Sequence, residues 1–417
     1  MGKVQVTEFE KNILRELAHE YMQIATLDVQ RKKMEMWKVF NRVGNMRPMV
    51  TIDQLPWHEL DFDGSLTCRC NDPFLRSIEE GMRKKIYQWK NFPVDMVVEP
   101  FITIPYCASN SGMGIDIAEN TAETDQTNDV VSHSYINQLE EEEDLDKIKD
   151  IQITLDKETS AEWKAVAEEI FVGIVPVVQA GGASIRLQIW DILAELMNVE
   201  NVYYDLIDRP EFIHGIMEKM TQSVISGIEQ VNALGIFNSH DNLCHCSHIY
   251  TDELLPDFAA GKGVTSEYGW GLSMAQLFTS ASPATTKEFE IDYMSRISKY
   301  YGMFYYGCCE RLDDRLDIVQ KLPNVRKISC SPWSNPENFA INLDPKIIMS
   351  NKPTPAVLVA PSLDTDVVAK HITNVSQIAK KNQLNVEFLL KDVSTVCYKP
   401  ERLTQWAETT MKIVENM

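Results

Sequence analysis

The 417-residue sequence lacks a long apolar segment, because no run of about 18 or more apolar residues occurs anywhere in it. Its first residues also lack the apolar stretch of a signal peptide. Positive charge is scarce, since 40 Lys and Arg stand against 61 Asp and Glu, which gives a net charge of -21. Such a field repels phosphate backbones and anionic membrane surfaces. We therefore expect a soluble, cytoplasmic protein with no nucleic-acid and no membrane partner.

Several catalytic and nucleotide-binding motifs are also missing. The sequence contains no Walker loop, no H-E-x-x-H, no G-x-S-x-G and no G-x-G-x-x-G after an apolar run. The nine cysteines are an odd number spread over a long chain, partly in the tight groups Cys68/Cys70, Cys244/Cys246 and Cys308/Cys309. This distribution does not indicate the disulfide framework of a small secreted fold. We interpret the cysteines as reduced thiols, some of which are candidate metal ligands.

The N-terminal part shows the periodicity of helices. Apolar residues recur mostly at three- and four-residue steps from Thr7 to about Arg42. A second helix is predicted to begin at Asn71-Asp72-Pro73, where a capping side chain precedes a proline, and to run to Trp89. Residues 1–92 are thus predicted to form an N-terminal helical arm that packs on a larger domain of residues 93–417.

The remainder alternates between short β-rich runs and helical stretches, which is the pattern of a parallel sheet with crossover helices. Eight such runs occur: Met96–Ile104, Phe171–Val178, Leu234–Ser239, Gly263–Ser266, Tyr301–Tyr306, Val325–Ser329, Ile347–Met349 and Val386–Leu390. Eight units predict an α/β fold, a closed (β/α)8 TIM barrel with its active site at the carboxyl ends of the strands. The alternative is an open doubly wound sheet, which the absent dinucleotide motif disfavours.

A long polar insertion, residues 108–155, separates the first two β-rich runs. Its acidic part, Glu140 to Asp150, predicts a solvated helix. Long loops at the active face of a barrel often form lids, so the segment around His133 is predicted to face the substrate.

Thiol, imidazole and carboxylate groups recur where the predicted strands end, and they suit Zn²⁺. The strand-end candidates are Tyr106, Cys107, Gln179, His240, Asp241, Cys244, His245, Cys246, His248, Glu267, Trp270, Cys308, Cys309, Glu310, Cys330, Trp333, Asn351, Lys352, Lys391, Asp392 and Cys397. Because neighbouring residues of a strand face opposite ways, only one thiol of Cys308-Cys309 is expected to point inward. Three alternatives remain open: buried apolar cysteines, a cysteine nucleophile, and a structural zinc site at Cys244–Cys246.

Several segments, in order, resemble the uroporphyrinogen decarboxylase superfamily, and within it the zinc-dependent, corrinoid-linked methyltransferases and O-demethylase methyltransferases of anaerobic bacteria. The similarity extends from about Pro93 to the end of the sequence. It lies in Tyr203–Glu211, in Ser282-Pro283 followed by Glu288-Phe289, and in Tyr306–Glu310, Lys327–Trp333, Ser350–Pro353 and Leu390–Ser394.

The resemblance implies transfer of a methyl group from a small methoxy-aromatic or amine-type donor to a Co(I) corrinoid, with zinc as Lewis acid. The sequence has no D-x-H-x-x-G segment, so the corrinoid is expected on a separate partner protein. In this family a His-x-Cys pair and a last-strand Cys bind the metal. Cys309 matches the second position of the pair, whereas Gly307 stands at the His position and Asp392 at about the last thiol position.

Oxygen and imidazole ligands would have to complete the metal site that the resemblance implies. Glu310 and Asp392 are the predicted substitutes beside Cys309, with His245 or Glu267 as further ligands. His133, Asp241 and Lys391 are predicted to orient the substrate or relay a proton. One alternative function is a metal-free decarboxylase of a tetrapyrrole. The other is a binding protein that keeps the barrel without catalysis. For assembly, a homodimer is considered.

Overall fold

A computed structural model describes residues 3–123, 131–238, 242–254 and 264–417. It confirms a mixed α/β fold built on a parallel sheet and many helices. Within these ranges no helix combines the length and the apolar character needed to cross a membrane.

The strands are short. In chain order they are β1 (Met49–Ile52), β2 (Ile102–Ile104), β3 (Ala108–Asn110), β4 (Glu119–Glu123), β5 (Val131–Tyr135), β6 (Ile153–Leu155), β7 (Val177–Gln179), β8 (Leu243–Cys244), β9 (Ser247–His248), β10 (Trp270–Ser273), β11 (Met303–Tyr306), β12 (Val325–Cys330), β13 (Ile348–Asn351) and β14 (Val386–Leu390).

The α-helices vary more in length. They are α1 (Glu8–Ala25), α2 (Asp28–Asn41), α3 (Pro73–Asn91), α4 (Lys157–Phe171), α5 (Ile189–Met197), α6 (Val199–Asp208), α7 (Pro210–Leu234), α8 (Pro283–Thr286), α9 (Asp292–Ser298), α10 (Leu316–Val319), α11 (Pro336–Asn342), α12 (Thr365–Lys381) and α13 (Glu401–Val414). A π-helical segment, Lys287–Ile291, joins α8 to α9.

Six parallel strands form the main sheet, in the order β1-β14-β13-β12-β11-β10. The last four β-rich runs of the sequence are confirmed as β11 to β14. Two strands were not predicted. Pro48 and Pro56 flank β1 and indicated only a break in helix, and Gly271 interrupts the apolar pattern of β10. Pairing with β14 and β11 creates these two strands, and that long-range pairing leaves no local signal.

The first four predicted runs are mostly not strands. Met96–Ile104 is reduced to β2 and Phe171–Val178 to β7, and these two short strands pair with each other. Of Leu234–Ser239 and Gly263–Ser266, the described part forms an isolated parallel bridge between Ile236 and Val264. Among the described residues these ladders stay separate from the six-stranded sheet, so the closed barrel is not shown and stays a prediction.

The predicted N-terminal arm is not wholly helical. Two helices, α1 and α2, replace one continuous helix and meet at Thr26-Leu27. The helix predicted from Pro73 is confirmed, with the Asp72 carboxylate accepting the N–H of Phe74 at 2.9 Å. Since β1 lies in this segment and pairs with β14, residues 1–92 contribute a strand to the main sheet. The boundary at residue 92 stays a prediction.

The insertion 108–155 contains short antiparallel β-sheets and is not an irregular loop throughout. Strands β3 and β6 pair antiparallel and close its two ends, and β4 pairs with β5 further out. The predicted helix from Glu140 to Asp150 is wrong in type and length, because only Glu142–Lys147 is helical and it is a 3-10 helix. In a longer helix Glu140 would face Glu143 and Asp144, three and four positions away, and this like-charge repulsion disfavours it.

The two faces of the main sheet differ in polarity. One face carries apolar side chains such as Ile328, Met349 and Phe388, which join the main hydrophobic core with the helices. The opposite face carries Lys327 and Glu387, whose Nζ and Oε2 atoms lie 2.9 Å apart with both side chains 0% exposed. The Ser247 hydroxyl donates to the same Glu387 oxygen at 2.7 Å. A buried, hydrogen-bonded ion pair thus links β12 to β14.

Removing one partner of this pair should destabilise the protein strongly. In Lys327→Met the Glu387 carboxylate would stay buried without its cation, and we expect the free energy of unfolding to fall by about 3–5 kcal/mol. Urea denaturation of wild type and variant measures the difference. The control is Lys287→Met, which breaks a pair with Asp292 whose side chains are 58% and 57% exposed, and should cost at most about 1 kcal/mol. Equal, small losses in both variants would contradict this role.

Candidate active site

A left-handed turn directly follows β11. Gly307 has φ +95°, and a Cβ there would lie 2.6 Å from Leu312 Cδ1 and 3.0 Å from Ser329 Cβ, so only glycine fits without a shift. Because the strand ends at Tyr306, strand alternation no longer applies beyond it. The sulfurs of Cys308 and Cys309 consequently lie 3.5 Å apart. The two thiols therefore do not face opposite ways, as strand alternation predicted, although only Cys308 is buried.

The Glu310 carboxylate holds this turn in place. It is 3% exposed, and its two oxygens accept the backbone N–H groups of Cys308 at 2.8 Å and Ala275 at 3.2 Å. The donor cluster found among the described residues does not include Glu310. Its predicted role as a metal ligand therefore stays a prediction, and its observed contacts are those of a support for the thiol turn.

Asp392 follows β14 and completes a three-donor cluster. Its φ is +55°, and its Oδ2 lies 3.5 Å from the Cys309 sulfur. One donor atom from each of Cys308, Cys309 and Asp392 lies within 4.8 Å of the others. Since β12 and β13 separate β11 from β14 in the sheet, curvature of the sheet and the segments that follow the two strands together bring these residues into contact. We name these three residues the thiol–carboxylate cluster.

Two lysines border the thiol–carboxylate cluster. Lys391 Nζ lies 3.3 Å from the Cys308 sulfur and also donates to Asp392. Lys352 Nζ lies 2.7 Å from both Tyr305 Oη and Ser329 Oγ. Burial is the main cause that lowers the pKa of Lys352 to about 8. Burial alone would lower the pKa of Lys391, but the negative charges of Cys308 and Asp392 outweigh it and raise that pKa.

The two thiols differ in acidity. A hydrogen bond from Cys309 is the main cause that lowers the pKa of Cys308 to about 7, against the effect of burial and with help from Lys352 and Lys391. The same hydrogen bond, together with burial, raises the pKa of Cys309. Cys308 is therefore the first thiolate of the pair, and Cys309 keeps its proton longer.

The geometry of the thiol–carboxylate cluster suits a zinc ion. Two sulfur ligands about 2.3 Å from a tetrahedral zinc ion lie about 3.8 Å apart, and a sulfur–oxygen pair lies somewhat closer. The observed separations, 3.5 Å between the sulfurs and 3.5 Å from Cys309 to Asp392, are close to these values. Thiolate and carboxylate are also ligand types that zinc accepts. Three protein ligands leave a fourth position free, as in catalytic zinc sites.

No family profile and no curated protein sequence matches the chain. Among solved structures, a methyltransferase from Methanosarcina mazei is similar, with a TM-score of 0.50 and 10% sequence identity. The alignment covers 91% of this chain and 98% of that one. This chain shares its fold. At such low identity the similarity concerns the fold alone, although it extends over nearly the whole of both chains.

None of the other predicted metal ligands that the structure describes supplies a donor atom to the thiol–carboxylate cluster. His133 lies on β5, which pairs with β4, and its Nδ1 lies 2.7 Å from Glu119 Oε2. Glu267 is exposed and accepts a hydrogen bond from Thr265 at 3.2 Å. Asp241 lies outside the described residues. The structure thus brings together Cys309, Asp392 and Lys391 of the predicted set.

His245 occupies an intermediate position. It lies in the β8–β9 turn with φ +48°, and its ring centroid is 5.3 Å from that of Tyr305. Burial is the main cause that lowers its pKa well below the usual value, so the imidazole is neutral. Its Nε2 is buried and makes no hydrogen bond within the described parts of the chain. Tyr305 contacts both residues, because its ring packs against His245 and its hydroxyl accepts a hydrogen bond from Lys352.

Two residues gained importance only through the structure. Cys308 was expected to face away, and Lys352 received no role although it directly follows β13. The position after a parallel strand was the available signal for Lys352. No local signal indicates that Gly307 turns both thiols to one side.

The acidity of Cys308 should depend on Lys391. We expect the ultraviolet thiolate absorbance of wild type, minus that of Cys308→Ser, to titrate near pH 7 in metal-free protein. In Lys391→Met the midpoint should move to higher pH, because a neighbouring cation favours the thiolate. Lys399→Met, a lysine in the following loop, serves as the control and should leave the midpoint unchanged. An unaltered midpoint in Lys391→Met would contradict the assignment.

Proposed function

We propose that the protein is a methyltransferase that moves a methyl group from a small methoxy-aromatic or amine-type donor to a Co(I) corrinoid on a separate protein. The observation that carries the proposal is the thiol–carboxylate cluster at the carboxyl ends of β11 and β14. Active sites of parallel α/β folds lie at that end of the strands. The fold shared with a methyltransferase agrees with this reaction class.

We also propose that the strands close into a (β/α)8 barrel. Two backbone hydrogen bonds support the closure outside the named ladders. Asp95 N–H donates to the Val50 carbonyl at 2.9 Å, which extends the sheet beyond β1, and Gly181 N–H donates to the Ile236 carbonyl at 3.2 Å. Curvature of the main sheet, which brings the end of β11 toward the end of β14, also favours closure of the barrel.

Cys308, Cys309 and Asp392 are the residues that would hold zinc. When bound, zinc supplies Lewis acidity that makes the donor's oxygen or nitrogen a better leaving group. Lys391 contacts both Cys308 and Asp392, so its positive charge compensates part of the negative charge of the three ligands. Glu310 keeps the two thiols oriented through the Cys308 N–H.

Lys352 is the group proposed to handle the proton of the reaction. Its ammonium group is buried beside Tyr305 and Ser329, and a pKa of about 8 lets it give a proton near neutral pH. Transfer of the methyl group as a methyl cation leaves an alkoxide, a phenoxide or an amide anion on the donor, which needs that proton. Lys352 would therefore protonate the leaving group, directly or through Tyr305.

A cavity of about 740 Å³ is the space proposed for the body of the donor, although Cys308, Cys309 and Asp392 are not among the residues that line it. Its walls include His245 and the aromatic rings of Phe101, Phe237 and Trp270, which suit a planar aromatic molecule. At the cluster itself, Cys309 is partly exposed and the Asp392 side chain is 47% exposed. This opening gives a corrinoid on a partner protein access to the methyl group.

The proposal predicts a defined metal content. Wild type purified without chelator should contain about one zinc per chain, whereas Cys309→Ser and Asp392→Ala should lose most of it because each removes a ligand. Methyl transfer from a panel of methoxy-aromatic and methylamine donors to Co(I) cobalamin should fall at least about a hundredfold in both variants. The matched controls are Cys330→Ser, a buried thiol on β12, and Cys397→Ser, an exposed one; both should keep their zinc.

Two results would overturn the proposal. Zinc content that does not change in Cys309→Ser and Asp392→Ala would show that the cluster is not the metal site. Decarboxylation of a porphyrinogen without any corrinoid, by wild type and Cys309→Ser alike, would favour the decarboxylase alternative.

A further inference from the structure

We propose that Cys308 and Cys309 also form a reversible oxidation site, in which a peroxide converts the two neighbouring thiols to a disulfide. The geometry on which this rests is the contact of 3.5 Å between their sulfurs in the reduced protein. Adjacent cysteines in a strand would point to opposite faces, so this contact is a particular property of the turn after β11.

The turn keeps both sulfurs on one side before any oxidation. Gly307 supplies the left-handed backbone conformation, and the Glu310 carboxylate accepts a hydrogen bond from the Cys308 N–H. A disulfide needs its sulfurs about 2.05 Å apart. Consecutive Cα atoms lie about 3.8 Å apart, closer than the roughly 4.4–6.8 Å of an ordinary disulfide, so closing the remaining gap of about 1.5 Å gives a strained bond that a thiol reductant opens readily.

The two sulfurs differ in their exposure to a peroxide in solution, and this difference decides which of them is oxidised first. Cys309 is partly exposed, whereas Cys308 is buried against Lys391. The Cys309 thiol passes its proton to the Cys308 thiolate across their 3.5 Å contact. The Cys309 thiolate then attacks a peroxide, ROOH, and becomes a sulfenic acid, while the alkoxide released takes a proton from water and leaves as ROH. The Cys308 sulfur then attacks the Cys309 sulfur, the S–S bond forms, the S–O bond breaks, and water leaves with the Cys308 proton. A thiol reductant reverses the oxidation by thiol–disulfide exchange.

The oxidation has a direct consequence for the proposed zinc site, and this consequence rests on the proposed function. Two of the three donors in the thiol–carboxylate cluster are the sulfurs that the disulfide joins. Since thiolates and not disulfides bind zinc, oxidation would leave Asp392 alone at the site. The metal would be released and methyl transfer would stop until the thiols are reduced again.

The test uses the full-length protein as purified, treated with hydrogen peroxide and then digested. Mass spectrometry should find the peptide with Cys308 and Cys309 lighter by two hydrogen atoms, and dithiothreitol should restore its mass. Zinc release, followed with a chromophoric chelator, should rise together with the disulfide. Methyl transfer should be lost to the same extent and should return after reduction and added zinc.

Variants separate this pair from ordinary thiol oxidation. Cys309→Ser and Cys308→Ser cannot form the disulfide, and Cys397→Ser, which removes an exposed thiol elsewhere, should form it as wild type does. Sulfinic acid at Cys309 without the two-hydrogen loss would overturn the inference, as would oxidation confined to Cys68 and Cys70. A disulfide in a protein that never binds zinc would leave the inference standing and sink the proposed function. Zinc bound through Cys309 in a protein that forms no disulfide would overturn the inference and leave the proposed function standing.

Discussion

The curvature of the main sheet is the constraint on which the rest of the structure depends. On its polar face, side chains bond across an intervening strand: Tyr305 of β11 donates to Ser350 of β13 at 2.6 Å, and Lys327 of β12 meets Glu387 of β14 at 2.9 Å. Strands about 4.8 Å apart leave roughly 10 Å between alternate strands, and curvature toward the polar face shortens the gap that these side chains span. The same curvature carries the end of β11 to the end of β14, where the thiol–carboxylate cluster forms.

The polar face also explains why charged groups collect around the cluster. Lys352 and Lys391 directly follow β13 and β14, and their ammonium groups lie beside the Ser329 hydroxyl and the Cys308 sulfur respectively. In this poorly solvated region a cation stabilises a thiolate more than it would in water. The thiols, the carboxylate and the two lysines consequently act as one electrostatic unit. A site of this kind can hold a metal ion and still retain a proton donor beside it.

The sequence predicted those features that depend on local pattern. The last four strands and the helix at Pro73 were found because apolar runs and a capping Asp72 mark them. The family resemblance matched Cys309 and Asp392 to equivalent positions, and the structure brings the two together. Their distance of 83 positions along the sequence carries no local signal.

Features created by long-range pairing or by a special backbone conformation were missed. Strand β1 exists because β14 lies beside it, and its flanking prolines suggested only a break. Cys308 was expected to face away from Cys309, because periodicity cannot show that Gly307 ends the strand and reverses the chain. The support by Glu310 was likewise hidden, since a carboxylate next to two thiols indicates a ligand as readily as a hydrogen-bond acceptor.

X-ray absorption spectroscopy at the zinc edge tests the central claim most directly. Protein loaded with zinc should show two sulfur neighbours at about 2.3 Å and light-atom neighbours at about 2.0 Å, because Cys308, Cys309 and Asp392 are the proposed ligands. Cys308→Ser should reduce the sulfur shell to one neighbour. A shell of nitrogen and oxygen alone, or an unchanged sulfur count in Cys308→Ser, would contradict a metal-dependent active site at the end of β11.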